Sequence, residues 1–447
     1  MSVRSLVFLL LLAILPHLTN SGTVTPIQHV IIVVDENHSF DNIFGIYPFG
    51  YPPVRDNVTL SVMRPENYLS QGFPSIPWIP GVPIYTGPYL LNSSTPPDPQ
   101  EGYTAYHLDY WYGTTQGFPL FSGSQSLGYF SYEQVGVLWD YAEEYVLFDN
   151  FYSPVLDVTE PNRIADLVGL PPTFHNDEAS GIYAFNQTIM YQLSLHNVSW
   201  DYFVYDLEGT PWPISTLRGV SGFENHFQNL SNFFMDLRNG SLPSVSWVMF
   251  LGGGSDKYDM HPPNNVTLGA EEFANVVNAV MESSVWNSTV IFFTFDEGGG
   301  YYDQIVPPAI NGTSFGQRIP LLLISPYAKE GFVDNYTTSG YTLLGFVDYN
   351  WRLPWLTQWV EQSDVNGLLM GFNFSHPRPP LVLTAKNWSC PVPLQYSIHY
   401  GYVAIISHPI DPGLYSLQLN DVRLMILSLI MILALLLLRR RKGFRRR

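Results

Sequence analysis

The sequence predicts an α/β fold with a mostly parallel central sheet, and two observations support this fold class. Short apolar runs alternate along the chain with stretches of helical period. Two of the runs, residues 29–34 and 290–295, are rich in β-branched or aromatic residues and end abruptly in acids. Buried strands of parallel sheets have such continuous runs, and open α/β sheets bind ligands beyond the carboxyl ends of their strands. The two acidic strand ends therefore predict a site at one edge of the sheet.

The other elements follow from local patterns along the chain. A helix is expected to begin near Ser39, directly after the first strand. Later patterns predict helices over residues 131–144, 159–169, 268–283 and 337–349, and strands over 145–148, 244–250, 290–295 and 320–325. Residues 48–102 are rich in Pro, Gly, Tyr and Asn, which predicts an insertion that covers one edge of the site. The folded domain should span 25–375, and 376–421 should form a small β appendage or a stalk.

Both ends of the chain indicate export and membrane anchoring. Residues 1–21 combine Arg4, an apolar run over 6–15 and then small or polar residues, which predicts a secretory signal peptide. Residues 422–438 are apolar except for Arg423, and seven basic residues follow within 439–447. This stretch predicts one transmembrane helix, and the positive-inside rule places the basic tail in the cytoplasm. We therefore expect a single-pass cell-membrane protein whose main domain is extracellular.

Composition limits the classes of partner. The chain has 38 acidic and 20 basic residues, and seven of the basic ones lie in the tail. The exterior portion is strongly acidic, which argues against nucleic acid as a partner. Cys390 is the only cysteine, so no intrachain disulfide can form. N-linked glycans are expected from a dozen N-x-S/T sequons, at Asn57, Asn92, Asn186, Asn197, Asn229, Asn239, Asn265, Asn287, Asn311, Asn335, Asn373 and Asn387.

Oxygen donors follow both acidic strands. Glu36 and Asn37 offer a carboxylate and an amide oxygen, and Asp296 and Glu297 offer two more carboxylates before three glycines. Hard divalent cations prefer such ligands, so the pattern suggests a metal-assisted hydrolase. The alternative is that these residues only form solvated turns or cap the helix after the first strand.

Five blocks of sequence, in order, resemble one enzyme family. They are HVIIVVDENHSFDNIFG, LFDNFYSPVLDVTEPNR, DMHPP, WNSTVIFFTFDEGGGYYDQIVPP and RIPLLLISPYAKEGFVD, all within residues 27–355. They are similar to the phosphoesterase family of bacterial phosphatidylcholine-type phospholipases C and acid phosphatases, in the alkaline-phosphatase-like superfamily. The resemblance implies a central sheet flanked by helices, a bound divalent metal, and a Ser or Thr nucleophile that is transiently phosphorylated.

The resemblance also implies roles for individual residues. Thr159 occupies the nucleophile position, and the divalent metal is expected at Glu36, Asn37, Thr159, Asp296 and Glu297. Substrate-binding roles at the phosphoryl group are expected for Asn162 and Arg163. Catalytic roles as acids or phosphate-binding groups are expected for His107, Asp259 and His261. Relatives have further histidines after the GFVD block, whereas this chain has DNYTTSGYTLL there, so one metal site is favoured.

Several assignments have simpler alternatives. A Thr at a helix start is often an ordinary N-cap, and Arg163 could pair with an acid at the sheet edge instead of binding phosphate. His107 could be a packed residue rather than a group that acts with Asp109 on a leaving group. The loop around His261 could simply be solvated.

The sequence thus predicts an exported, membrane-anchored, metal-dependent phosphoesterase that acts through a phosphothreonine intermediate. Its substrate would be a phosphate ester, as for an acid phosphatase or a phospholipase C. The competing hypothesis is a non-catalytic glycosylated surface protein that retains the phosphoesterase fold.

Overall fold

The computed structural model describes residues 22–47, 88–110, 113, 115, 117–251, 257–310 and 313–383. The predicted signal peptide, transmembrane segment and basic tail lie outside these residues, as do residues 48–87 of the predicted insertion and 384–421 of the predicted appendage. Within the described part of the chain, no helix combines the length and the apolar character needed to cross a membrane.

The secondary structure is as follows. The strands are β1 (His29–Asp35), β2 (Tyr89–Leu90), β3 (Gly128–Tyr129), β4 (Val146–Phe148), β5 (Phe151–Tyr152), β6 (Trp200–Val204), β7 (Phe227–Asn229), β8 (Val245–Met249), β9 (Thr289–Phe295), β10 (Ala309–Ile310), β11 (Thr313–Ser314), β12 (Leu321–Ile324), β13 (Phe332–Asp334) and β14 (Thr338–Ser339). The α-helices are α1 (Phe40–Phe44), α2 (Tyr103–Asp109), α3 (Phe118–Phe121), α4 (Tyr132–Glu144), α5 (Thr159–Val168), α6 (Ile189–Leu195), α7 (Leu230–Asn239), α8 (Val266–Met281), α9 (Gly340–Trp351), α10 (Gln358–Gln362) and α11 (Asn366–Leu369).

An eight-stranded sheet in the order β13-β4-β12-β9-β1-β8-β6-β7 forms the centre of the fold. β1 pairs in parallel with both β8 and β9, and β12 alone runs against its neighbours β4 and β9. The predicted mostly parallel α/β sheet is therefore confirmed. Because β1 and β9 are adjacent and parallel, their acidic carboxyl ends lie side by side.

Helices cover both faces of this sheet. Phe292 and Phe293 are consecutive in β9, so their side chains point to opposite faces. The Phe292 ring packs against Phe346 of α9, and the Phe293 ring packs against Phe273 of α8. Every residue of β9 is buried, which explains its uninterrupted apolar run.

The predicted elements are found within a few residues of their expected bounds. Ser39 caps α1, because its hydroxyl accepts a hydrogen bond from the Asn42 N–H. Gly169 ends α5 with a φ of 69°, a left-handed conformation that glycine adopts easily. The sequence analysis assigned no element between residues 170 and 243, where the structure has α6, β6, β7 and α7.

Candidate active site

The two acidic strand ends are joined by backbone hydrogen bonds. The Asp296 N–H donates to the Asp35 carbonyl at 3.0 Å. The Asn37 N–H donates to Asp296 Oδ1 at 3.1 Å, from a backbone with a φ of 64°. Asn is among the few residues that adopt this left-handed conformation readily. The structure therefore brings together the residues predicted at the two strand ends.

Thr159 completes this group from the start of α5. Its side chain is 6% exposed, and Oγ1 lies 3.3 Å from Glu36 Oε2 and 3.4 Å from Asn37 Oδ1. Thr159 is the first residue of the helix, and Val158 holds the cap position without a side-chain hydrogen bond. The alternative of an ordinary Thr N-cap is therefore wrong: the hydroxyl faces the acidic strand end.

Arg163 lies one turn further along α5 and bridges two acids. Its Nη2 is 2.5 Å from Glu36 Oε1, and its Nε is 3.2 Å from Asp296 Oδ2. Burial disfavours the charge of Arg163, but the two carboxylates raise its pKa above the usual value. Of the two roles considered for Arg163, the structure shows the ion pair, and contact with a phosphoryl group stays a prediction.

The Asn162 side chain forms hydrogen bonds with the backbone of the loop before α5. Its Oδ1 accepts from the Val155 N–H at 2.9 Å, and its Nδ2 donates to the Asp157 and Val158 carbonyls at 2.8 and 3.0 Å. These bonds hold the loop that leads into Thr159. The predicted contact between Asn162 and the phosphoryl group remains untested.

Two residues that the sequence analysis missed surround the acidic strand ends. The Tyr106 hydroxyl donates to Glu297 Oε1 at 2.8 Å, and the other Glu297 oxygen accepts from the Gly299 N–H at 2.7 Å. The Asn37 side-chain amide donates to Glu101 Oε1. Tyr106 and Glu101 come from a segment with no acidic strand end or catalytic motif to mark it.

The loop that contains Asp259 and His261 lies against β1. The Met260 N–H donates to Asp35 Oδ1 at 3.0 Å, and the His261 N–H donates to Asp259 Oδ1 at 2.5 Å. The His261 ring is 36% exposed, with Nε2 at 3.9 Å from Glu101 Oε1. Burial lowers the pKa of His261, but Glu101 and Glu36 outweigh that effect and raise it to about 9. The acids around His261 therefore favour the charged form of its ring at the rim of the site.

His107 does not form the pair that we considered with Asp109. His107 is exposed on α2, and its Nδ1 is 2.7 Å from the Tyr103 carbonyl. Asp109 is buried and accepts from the Ser122 hydroxyl at 2.5 Å. Helix α2 contacts the strand ends through Tyr106 instead, and a catalytic role for His107 remains a prediction.

The site contains more carboxyl groups than positively charged side chains. Burial raises the pKa of Asp35, Asp259 and Asp296 to about 7. Burial also raises the pKa of Glu101 to about 8. Arg163 and His261 cannot neutralise all of these groups together with Glu36 and Glu297. A further cation would favour the ionised carboxylates.

The donor chemistry of the site fits a divalent metal ion. A carboxylate oxygen of Glu36 and the amide oxygen of Asn37 both lie within 3.4 Å of the Thr159 hydroxyl oxygen, and hard divalent cations bind oxygens of these three kinds. Asp35 Oδ2 and Asp259 Oδ2 are buried, and neither has a hydrogen-bond partner among the described residues. Among the residues that the structure describes, no group of three or more His, Cys, Asp or Glu side chains is arranged to hold a metal ion. The predicted ligation by Asp296 and Glu297 therefore stays a prediction.

The fold and the site define an α/β protein with a buried hydroxyl among acids at the carboxyl edge of its sheet. A family model described as the Phosphoesterase family matches residues 27–354. The chain belongs to this phosphoesterase family.

Similar proteins agree with the family. The chain is 24% identical over 455 residues to the non-hemolytic phospholipase C of Burkholderia pseudomallei, covering 81% of this chain and 61% of that protein. It is 24% identical over 439 residues to phospholipase C A of Mycobacterium tuberculosis, covering 80% and 79%. Family and relatives indicate a phosphoric ester hydrolase.

The fold is also similar to solved structures, among them a protein of the alkaline phosphatase superfamily from Vibrio parahaemolyticus. It is 16% identical and covers 51% of this chain and 62% of that chain, with a TM-score of 0.35.

Proposed function

We propose that the protein is an exported, membrane-anchored, metal-dependent phosphoesterase in which Thr159 is the nucleophile. The observation that carries the proposal is the Thr159 hydroxyl, which is buried at a helix start beside Glu36 and Asn37. A helix N-terminus favours phosphate oxygens and an ionised hydroxyl through its dipole. The names of the relatives favour a phospholipid headgroup diester, as for a phospholipase C, over an acid-phosphatase monoester.

Two covalent steps describe the reaction. Thr159 Oγ1 passes its proton to the neighbouring Glu36 carboxylate as it attacks phosphorus, the bond to the lipid alcohol oxygen breaks, and a phosphothreonine diester of the headgroup forms. Protonated His261 at the rim donates its proton to the leaving oxygen. Water then attacks the same phosphorus, releases the phosphorylated headgroup and regenerates the Thr159 hydroxyl.

The residues that would hold the metal are Glu36, Asn37, Thr159, Asp296 and Glu297. A divalent metal there would lower the pKa of the Thr159 hydroxyl and stabilise the charge on the phosphoryl oxygens. Arg163 holds Glu36 Oε1 and Asp296 Oδ2 in place through its two ion pairs. This proposal fails if metal content is unchanged in the variant Asp296→Asn/Glu297→Gln.

A rapid acid quench with a ³²P-labelled phosphodiester tests the nucleophile. We expect label on the peptide that contains Thr159, and Thr159→Ala should lose at least about a thousandfold in kcat because the covalent route is gone. Thr159→Ser is the matched control and should keep measurable turnover, since the attacking oxygen survives. Label on another peptide, or full turnover by Thr159→Ala, would exclude this role. Complete inactivity of the metal-loaded wild type would favour the non-catalytic surface protein.

Export and anchoring depend on residues 1–21 and 422–438, which lie outside the described part of the chain. A protein truncated before Asp421 should be released in soluble, active form. Sedimentation of that truncated protein with membranes after a high-salt wash would contradict the anchor.

N-linked glycans are proposed at the exposed sequons. Asn37 also begins an N-x-S sequence, but its side chain is fully buried, so it is not an acceptor. The described sequons with an exposed asparagine are Asn92, Asn186, Asn197, Asn239, Asn287, Asn335 and Asn373. Peptide mapping after enzymatic deglycosylation tests them, and unmodified peptides from an exported protein would contradict them.

A further inference from the structure

A short segment, residues 175–179, is hydrogen-bonded to the start of α5, the helix that begins with the proposed nucleophile. Asp157, just before the helix, accepts from His175 Nδ1 at 2.9 Å and from the Asn176 N–H at 3.0 Å. Asp177 Oδ1 accepts from the Glu160 N–H at 3.0 Å. In return, Glu160 Oε2 accepts from the Ala179 N–H at 2.8 Å. Reciprocal hydrogen bonds therefore hold the Asp177 carboxylate one residue from Thr159.

The same segment is tied to the other side of the site. Asn176 Oδ1 accepts from the Tyr103 N–H at 3.0 Å, at the start of α2. The next turn of α2 contains Tyr106, which holds Glu297. Residues 175–179 thus bridge the two helices that border the acidic strand ends.

Asp177 experiences the charges of the site. Burial raises the pKa of its carboxyl, and Asp296 raises it further while His261 lowers it. The geometric evidence is the hydrogen bond from the Glu160 N–H, which places the carboxylate at the residue next to Thr159. The hydrogen bond to Glu160 fixes its location independently of this effect.

The start of α5 is unusual for a helix end that receives phosphate. Backbone N–H groups at a helix start normally bind anions. Here Pro161 has no N–H, and the N–H of Glu160 already donates to a carboxylate. A phosphoryl group beside Thr159 meets fewer donors and one more negative charge than at an ordinary helix start.

This arrangement affects two classes of phosphate ester differently. A phosphomonoester has a second pKa of about 6 and is a dianion at pH 8, whereas a phosphodiester is a monoanion. The dianion is repelled more strongly by a fixed carboxylate than the monoanion.

We propose that Asp177 is a specificity residue that selects monoanionic phosphodiesters against dianionic phosphomonoesters. The inference rests on the proposed phosphoesterase function and names the substrate class of that same site. It adds a residue that accepts a hydrogen bond from the first turn of the nucleophile helix.

The variant Asp177→Asn tests the proposal, because it removes the charge and keeps an oxygen that can accept from the Glu160 N–H. The metal-loaded full-length protein would be titrated by calorimetry with phenyl phosphate and with diphenyl phosphate at pH 8. We expect Asp177→Asn to bind phenyl phosphate about tenfold more tightly, the order of effect expected for one charge across a partly solvated gap. The Kd of diphenyl phosphate should change by less than about threefold. At pH 5, where phenyl phosphate is mostly a monoanion, the difference between the variants should shrink.

Glu178→Gln is the matched control, since Glu178 has the same charge and is exposed like Asp177, whereas the Glu160 N–H donates to Asp177. It should leave the ratio of the two Kd values unchanged. An unchanged ratio in Asp177→Asn, or an equal shift in Glu178→Gln, overturns the inference. Failure of either ligand to bind the wild type also overturns it. Absence of turnover counts against the proposed function alone, because the binding measurement does not require catalysis.

Discussion

Two buried arginines join the same two segments of the chain, yet their surroundings differ. In the first group, which we term the Arg163 cluster, Arg163 bridges Glu36 and Asp296. In the second, the Arg318 cluster, Arg318 bridges Asp41 and Asp303. Each cluster takes one acid from the segment after β1 and one from the segment after β9.

The Arg318 cluster is saturated with hydrogen bonds. Asp303 accepts from Arg318 Nε at 3.0 Å and from the Ile305 and Asp41 N–H groups. Asp41 accepts from Arg318 Nη2 and from the Gln304 N–H, both at 2.8 Å. All four carboxylate oxygens therefore have a donor. Such a network fixes the two segments and needs no ligand.

The Arg163 cluster is bordered by groups that are not saturated. The Thr159 hydroxyl lies beside Glu36, and the buried atoms Asp35 Oδ2 and Asp259 Oδ2 have no hydrogen-bond partner among the described residues. Buried polar groups without partners are costly, and a bound cation would supply the interaction that these two oxygens lack. The comparison separates an ion network that supports the fold from one beside which we propose that a cation and a substrate bind.

The largest expected effect is a loss of activity when the Arg163 cluster, but not the Arg318 cluster, is changed. Asp296→Asn should lower kcat about a thousandfold, because it removes a negative charge from the site without changing its shape. The Asn37 and Glu297 N–H groups keep an oxygen acceptor, and Arg163 keeps its ion pair with Glu36, so the unfolding temperature should fall less than in the matched Asp303 variant. Steady-state turnover of bis-p-nitrophenyl phosphate and thermal unfolding measure the two effects.

Asp303→Asn is the matched substitution in the Arg318 cluster, and it should give the opposite pattern. Stability should fall while kcat of the folded fraction stays within about tenfold of the wild type. Equal losses of activity and of stability in both variants would contradict the assignment of different roles to the two clusters.

The next effect is on stability. Arg318→Met should lower the free energy of unfolding by about 3 kcal/mol, since it leaves Asp41 and Asp303 buried without their counter-ion. Urea unfolding measures the loss. Arg318→Lys should recover part of it, because lysine restores the charge but not the planar fork. An equally stable Arg318→Met variant would show that the cluster does not support the fold.

The smallest expected effect concerns pH. Burial raises the folded-state pKa of Asp259 to about 7, above the unfolded value near 3.8. The folded state therefore binds this proton more tightly, and the stabilisation is present at low pH and lost as pH rises through about 7. Chelator-treated protein should be more stable at pH 5 than at pH 8 in urea unfolding. Asp259→Asn should reduce that difference by on the order of 1 kcal/mol. An undiminished difference would assign the pH dependence to other carboxyls.

The sequence predicted the parts of the fold and site that have local signals. β1 and β9 are apolar runs followed directly by their acids, so their pairing brought Glu36, Asn37 and Asp296 together as expected. Thr159 could be placed at a helix start because Pro161 follows it. In contrast, β6 was missed because Asp201 interrupts a short run.

The rest of the site depends on contacts that sequence spacing cannot show. Glu101 meets Asn37 and Asp177 meets Glu160 only because of tertiary folding. On α2 the sequence analysis chose His107, the residue type with the more familiar chemistry. Successive helical residues point about 100° apart, so Tyr106 faces Glu297 while its neighbour faces solvent.

The reversed direction of β12 has a consequence for how this protein can be altered. β9 ends, and β12 begins, at the same edge of the sheet, so residues 296–320 form one excursion with both ends anchored beside the site. The short ribbon of β10 and β11 lies within this excursion. Loops tolerate insertion and exchange better than the strands that they connect. An engineer could therefore graft a longer or shorter excursion between Val306 and Phe315 and change what approaches the acids, while Asp303 keeps its ion pair with Arg318 and every strand of the sheet keeps its neighbours.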